Sequence, residues 1–152
     1  MAPPLLQVLY VSSATPELTD DALLQLLARA QPRNAARGIT GLLLHCDGNL
    51  IQVLEGPHDE VEALFLKIEK DSRHTGIMVL TRRTIEKRDF PEFKMGFRRS
   101  SRQTLDQRIP GFTDIVEKRD LGNETLEGLS KHVSVFLKSF ATTTRLRGDT
   151  LD

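Results

Sequence analysis

The first apolar run, LLQVLYV over residues 5–11, is hydrophobic at nearly every position, as in a buried strand. TPELTDD follows, where Thr19 or Asp20 can cap a helix N-terminus. Ala22, Leu23, Leu26, Leu27 and Ala30 then fall on one helical face, and Pro32 ends or kinks that helix after Gln31. RNAARG reads as a turn or a single helical turn. ITGLLLHC and LIQVLE are two strands joined by DGN, a hairpin signal. Gly56-Pro57 closes the second of them. Val61, Leu64, Phe65 and Ile68 repeat at helical spacing, and DSRHTG stops that helix. IMVLTR is a fourth strand, EKRDFPEF a loop and KMGFR a short fifth strand. The order βαββαββ, with both helices on one face of a mostly antiparallel sheet, predicts an α+β ferredoxin-like domain over residues 1–100.

Residues 101–152 form a helical extension of different character. Pro110-Gly111 breaks a weak helical stretch. Asn123 is placed as an N-cap with Glu124 and Glu127 in the first turn. Leu126, Leu129, Val133, Phe136, Leu137 and Phe140 make one apolar stripe, and TTTRLRGDTLD is a frayed tail. A helix of that length needs a surface to pack on. The sheet face away from the two helices carries Leu9, Val11, Ile51 and Val53. The stripe is therefore expected on that face, in the same subunit or in a partner.

Composition narrows the function. Lys plus Arg balance Asp plus Glu at 21 each, so the chain as a whole draws neither nucleic acid nor an anionic membrane surface. No apolar run reaches a membrane-spanning length of about 18 residues. Cys46 is the one cysteine, which excludes an intrachain disulfide and a cysteine zinc cluster. A cytoplasmic protein without a metal site is expected. There is no tryptophan, and Tyr10 is the one tyrosine, so any phenol chemistry uses that position.

Gln52 stands out within NLIQVLEG. It shares a strand face with Leu50 and Leu54, where an apolar residue is the usual choice. A buried amide left without partners costs about 1–3 kcal/mol. Tyr10 lies on the face of Leu6 and Val8, and in a ferredoxin-like sheet the first and third strands are central neighbours. Tyr10 and Gln52 can therefore meet beneath the helices, as a core hydrogen bond or as part of a site. Asn34 reads as a capping or turn residue, and Lys67 with Asp71 as a surface ion pair. His74 can answer a helix dipole, and Met95 can be ordinary core. There is no G-x-G-x-x-G and no P-loop.

Together these positions resemble the BLUF family of blue-light sensors that use flavin. LLQVLYVSSA, NAARGITGLLLHCDGNLIQVLEG, KIEKDSRH and FPEFKMGF match it in order and spacing over about residues 5–100. The resemblance implies FAD held between the two helices with its ring over the sheet. It makes Tyr10 the photoactive tyrosine and Gln52 the glutamine between that phenol and the ring. Asn34 bonds the ring edge, Leu26 and Ile68 flank the ring, and Lys67 and Asp71 lie near the ribityl chain. His74 matches the histidine after the second helix, and Met95 the last-strand methionine near Gln52. Arg33 stands where relatives often carry asparagine or histidine, and it can still donate to a ring carbonyl. Phe93 stands where many have tryptophan, and it cannot act as an indole donor.

The implied activity is a photocycle, not enzymatic turnover. Tyr10 gives an electron and then a proton, Gln52 is left rotated or tautomerised, and absorption shifts to the red. The signal leaves through Met95, Phe93 and the sheet toward the C-terminal helix. No output domain is recognised, so a short sensor acting through a downstream protein partner or a homo-oligomer is expected. An acylphosphatase-like hydrolase needs a basic phosphate-cradling loop after the first strand, and SSATPELTD has none. A light-independent interaction module is the other alternative, and it would be colourless.

Overall fold

The computed structural model describes residues 4–91, 94–118, 121 and 124–147. The chain order is β1 (Leu5–Ala14), α1 (Asp20–Ala36), β2 (Thr40–Cys46), β3 (Asn49–Pro57), α2 (His58–Glu69), β4 (His74–Ile85) and β5 (Lys94–Ser100), followed by three helices. These are α3 (Arg102–Arg108), α4 (Phe112–Lys118) and α5 (Leu126–Arg147). The five strands lie in the order β4-β1-β3-β2-β5, all antiparallel neighbours except the parallel pair β2–β5. This is the expected α+β ferredoxin-like arrangement.

The alternation along β1 and β3 divides the core in two. Leu6, Val8, Tyr10, Leu50 and Leu54 pack beneath α1 and α2. Leu9, Val11, Ile51 and Val53 face the other way, against Leu105, Phe112, Ile115, Leu129, Val133, Phe136 and Leu137. The face left bare by the first two helices is thus covered by α3, α4 and α5 of the same chain, as the apolar stripe requires.

Local rules explain most element ends. Thr19 caps α1, its hydroxyl accepting from Ala22 N–H at 3.1 Å. Pro32 does not end the helix, which runs on to Ala36. Ala28, whose carbonyl loses its i+4 donor to Pro32, is exposed, so water can serve that group. The true end is a Schellman motif. Gly38, at φ +72°, donates to Ala35 O, and Ile39 N–H donates to Asn34 O at 2.8 Å. Asp47 and Gly48 both take positive φ, the hairpin turn that DGN suggests. β4 is longer than IMVLTR at both ends, because Thr75, Gly76, Arg83 and Thr84 are exposed on an edge strand and carry no apolar signal.

The extension differs in detail. Thr125, not Asn123, caps α5, its hydroxyl accepting from Gly128 N–H at 3.0 Å. Asn123 itself lies outside the described residues. The helix continues to Arg147, through part of the stretch expected to fray. Phe93 also lies outside the described residues. The segment just before it is tied down by Glu55, a fully buried carboxylate that accepts from Asp89 N–H, Phe90 N–H and Gln7 Nε2 at 2.7–2.9 Å. Lys138 of α5 lies 3.9 Å from Asp89 in the same segment.

Candidate functional site

Tyr10 on β1 and Gln52 on β3 are direct cross-strand partners, so both side chains rise on the α1–α2 face. Both are buried. The Tyr10 hydroxyl donates to Gln52 Oε1. Gln52 Nε2 in turn donates to Met95 Sδ at 3.1 Å. The amide that looked out of place among leucines therefore has one end on a phenol and the other on a thioether.

Burial raises the Tyr10 pKa above the ordinary phenol value, and the charge on Asp71 adds to the effect. Tyr10 is consequently a neutral hydrogen-bond donor. Its ring packs against Phe65, with centroids 5.5 Å apart, and lies 6.3 Å from the His74 ring. His74 Nε2 lies 2.7 Å from Ile68 O, which can only accept, so this nitrogen carries the proton. Nδ1 lies 2.9 Å from the Ser12 hydroxyl, which can serve it as donor or acceptor. Both ring nitrogens are thereby committed within the protein.

Above this floor a cavity of about 220 Å³ opens between α1 and α2. Leu26 lines it from α1, and Leu64 and Ile68 from α2. Arg33, Asn34, Lys67, Asp71, His74 and Met95 also reach its wall. Of the positions expected to form a site, every one among the described residues is gathered here. Asn34 is the most informative. Its backbone carbonyl closes the Schellman motif, while the residue is only 5% exposed and its side chain makes no hydrogen bond among the described residues. A buried amide without a protein partner at a cavity wall calls for a ligand with donor and acceptor atoms. Apolar walls, that amide and the Gln52 edge fit the ring of a flavin.

Lys67 and Asp71 are not an ion pair. Arg73 takes the Asp71 carboxylate instead, Nε to Oδ1 at 2.9 Å and Nη2 to Oδ2 at 2.6 Å. Arg73 and Arg37 both line the cavity, and neither was expected from the sequence. Arg73 is two residues from Asp71 in the loop between α2 and β4, where neither helix nor strand periodicity applies. That two-pronged bond lowers the Asp71 pKa to about 2. The folded value lies below the unfolded value of about 3.9. The stability it contributes is therefore present above about pH 4 and is lost as pH falls toward about 2. Both side chains are partly exposed, so the contribution is about 1 kcal/mol or less. Asp71→Asn should remove this part of the acid sensitivity, measured as the difference between urea midpoints at about pH 6 and about pH 3. An unchanged difference would show that the pair does not act in this way.

Met95 is strained. Its φ is +96°, in a region that costs a non-glycine residue about 1–3 kcal/mol. The strain coincides with a bulge in β5. Gly41 pairs with Lys94 and Leu42 with Gly96, which leaves Met95 over. The neighbouring backbone is tight as well. A Cβ on Gly41 would lie 2.0 Å from Val53 O and 3.2 Å from Met95 Cε.

Among the described residues, no group of His, Cys, Asp and Glu gathers as a metal site requires, and no helix is long and apolar enough to cross a membrane.

Comparison with known proteins agrees with this geometry. The family model for BLUF, sensors of blue-light using FAD, matches residues 5–96. The photoactivated adenylate cyclase subunit beta of Euglena gracilis is 39% identical over 82 residues, 54% of this chain. The match spans only 10% of that protein's length. The photo-activated state of BlsA superposes with a TM-score of 0.67 at 27% identity, covering 89% of this chain and 93% of that one. The dark state of BlrB, a BLUF protein, gives 0.64 at 27% identity, covering 90% of this chain and all of that one.

Proposed function

Since the chain belongs to the BLUF family of blue-light sensors that use flavin, we propose that its flavin is FAD, that Tyr10 and Gln52 carry its photochemistry, and that it has no enzymatic activity of its own. The observation that carries this reading is the chain of three groups Tyr10 Oη, Gln52 and Met95 Sδ at the floor of the α1–α2 cavity.

A bound flavin supplies light absorption and an electron acceptor. Leu26 and Ile68 would hold its ring, and Asn34 and Arg33 would meet its polar edge. Lys67, Arg37 and Arg73 at the rim favour a phosphate-bearing form over riboflavin. Asp71 holds Arg73 in place, and His74 packs beside Tyr10, its nitrogens fixing β1 and α2. Water is kept from the floor by Phe65 and the leucines.

Tyr10 is the chain's one phenol, and its hydroxyl proton already points at Gln52 Oε1. Once the phenol has lost an electron it is a strong acid, and its proton moves along that bond to the amide. The electron and proton then return to Tyr10, and Gln52 is left turned or as the imidic tautomer. Once turned, it no longer presents an N–H to Met95 Sδ. Residues 1–100 sense, and residues 101–152 couple the sensor to its surroundings. The strained β5, with Phe93 just ahead of it, carries the change toward α5, and from there to a second copy of the chain or a downstream protein. The buried free thiol Cys46 suits a cytoplasmic setting.

The test is an absorption spectrum of the purified protein before and after blue light. A flavin spectrum that shifts reversibly to the red is expected, and extraction should yield FAD. Gln52→Leu should bind flavin and show no shift, because leucine has neither donor nor acceptor. A colourless protein that takes up no flavin on refolding, or a Gln52→Leu protein with a normal shift, refutes the reading.

A further inference from the structure

Two side-chain hydrogen bonds reach the strained residue Met95 among the described residues, and only one belongs to the cavity. Gln52 holds the sulfur. The second comes from α1, where Gln31 Nε2 donates to the Met95 carbonyl oxygen at 3.0 Å. This is the one hydrogen bond that the Gln31 side chain makes among the described residues. Gln31 does not line the cavity, so it has no contact with a ligand there. It sits three residues before Asn34 on the same helix.

A left-handed bulge at a bulky residue persists only where its surroundings over-determine it. Here one constraint grips the side chain and the other the backbone. We propose that Gln31 couples the photochemical site to α1. Its amide holds the Met95 carbonyl of the β5 bulge toward α1, and it releases that carbonyl when Gln52 turns and stops donating to the Met95 sulfur. The inference rests on the role given above to Gln52, with the amide turning rather than tautomerising.

The physical sequence is short. Rotation of Gln52 turns Oε1 toward Met95 Sδ, and two acceptors then face each other. With its side chain no longer held, Met95 can leave the strained φ for ordinary extended backbone. That change rotates the peptide group after Met95 and takes its carbonyl away from α1. The bulge is thus an element with two arrangements, as coupling between sites demands. Its two arrangements are distinguished by whether Gln31 is bonded. Because Gln31 and Asn34 share a helix, the same event reaches the helix that supplies the cavity's open amide.

The sequence allows this one peptide group to be watched. Met95-Gly96 is the only Met-Gly pair in the chain. Carbonyl-13C methionine combined with 15N glycine therefore isolates the Met95 carbonyl in an NMR spectrum of the full-length, flavin-loaded protein. In the wild type, illumination should move this signal upfield, as a carbonyl does on losing a hydrogen bond. In Gln31→Leu the signal should already stand upfield in the dark, with or without flavin, and light should move it little further. Gln31→Leu should still bind flavin and shift to the red. The proposal is overturned if the wild type turns red while the Met95 signal stays put. It is also overturned if the dark signal of Gln31→Leu keeps its wild-type position, or if that variant loses the colour change. A wild type that shows no red shift at all removes the photosensor reading itself, which the absorption spectrum reports separately.

Discussion

Tyr10→Phe should bind flavin as the parent does and show no red shift under blue light. The phenylalanine ring keeps the packing against Phe65 and His74, so the cavity floor survives. What is lost is the hydroxyl that donates to Gln52 Oε1. The chain has no other tyrosine and no tryptophan, so no second ring of comparable oxidisability can substitute. The effect on the photocycle should therefore be complete. The effect on stability should be modest, about 1–3 kcal/mol for a buried amide oxygen left without its donor. Absorption spectroscopy before and after illumination and urea denaturation measure the two separately. A light-induced shift of normal size in this variant would remove Tyr10 from the mechanism.

Truncation after Ser100 should have the largest effect on the folded state. Leu105, Ile109, Phe112, Val116, Leu129, Val133, Phe136 and Leu137 are all essentially buried against the sheet. Burying one such side chain contributes about 1.5–3 kcal/mol. Together they rival the roughly 5–15 kcal/mol of net stability a domain possesses. Their removal also uncovers Leu9, Val11, Leu42, Leu44, Ile51 and Val53 as one continuous apolar surface. The truncated chain should aggregate, and Phe136→Ala alone should cost about 3–5 kcal/mol in urea unfolding. If residues 1–100 remain a soluble monomer that binds flavin, the three helices are dispensable for the fold, and the boundary read from the sequence is also a boundary of stability.

Much of this architecture was legible because it rests on short-range pattern. The two-residue alternation in LLQVLYV and LIQVLEG fixes which side chains share a face, and the adjacency of the first and third strands then brings Tyr10 opposite Gln52. The stripe from Leu126 to Phe140 declared that α5 would cover something apolar. Periodicity fails where a group acts through space or through a special backbone. Gln31 looks like any polar residue near a helix end, and Arg73 like any loop cation. Glu55 looks like a charge on a strand that ends in glycine, yet it is wholly buried. The positive φ of Met95 has no signature in residue type. Pro32 misled for the opposite reason: the local rule is sound, but the carbonyl it strands belongs to an exposed residue and so costs little.

The single phenol at the cavity floor also has an optical consequence. With no tryptophan in the chain, the tyrosine fluorescence and the tyrosine band of the near-ultraviolet circular dichroism of the flavin-free protein come from one residue, packed against Phe65 and His74 and bonded to Gln52. The protein therefore carries an intrinsic, site-specific reporter. Ligand uptake, a flip of the Gln52 amide or loosening of the core beneath α2 would each be read at Tyr10 itself, without a label and without averaging over distant chromophores.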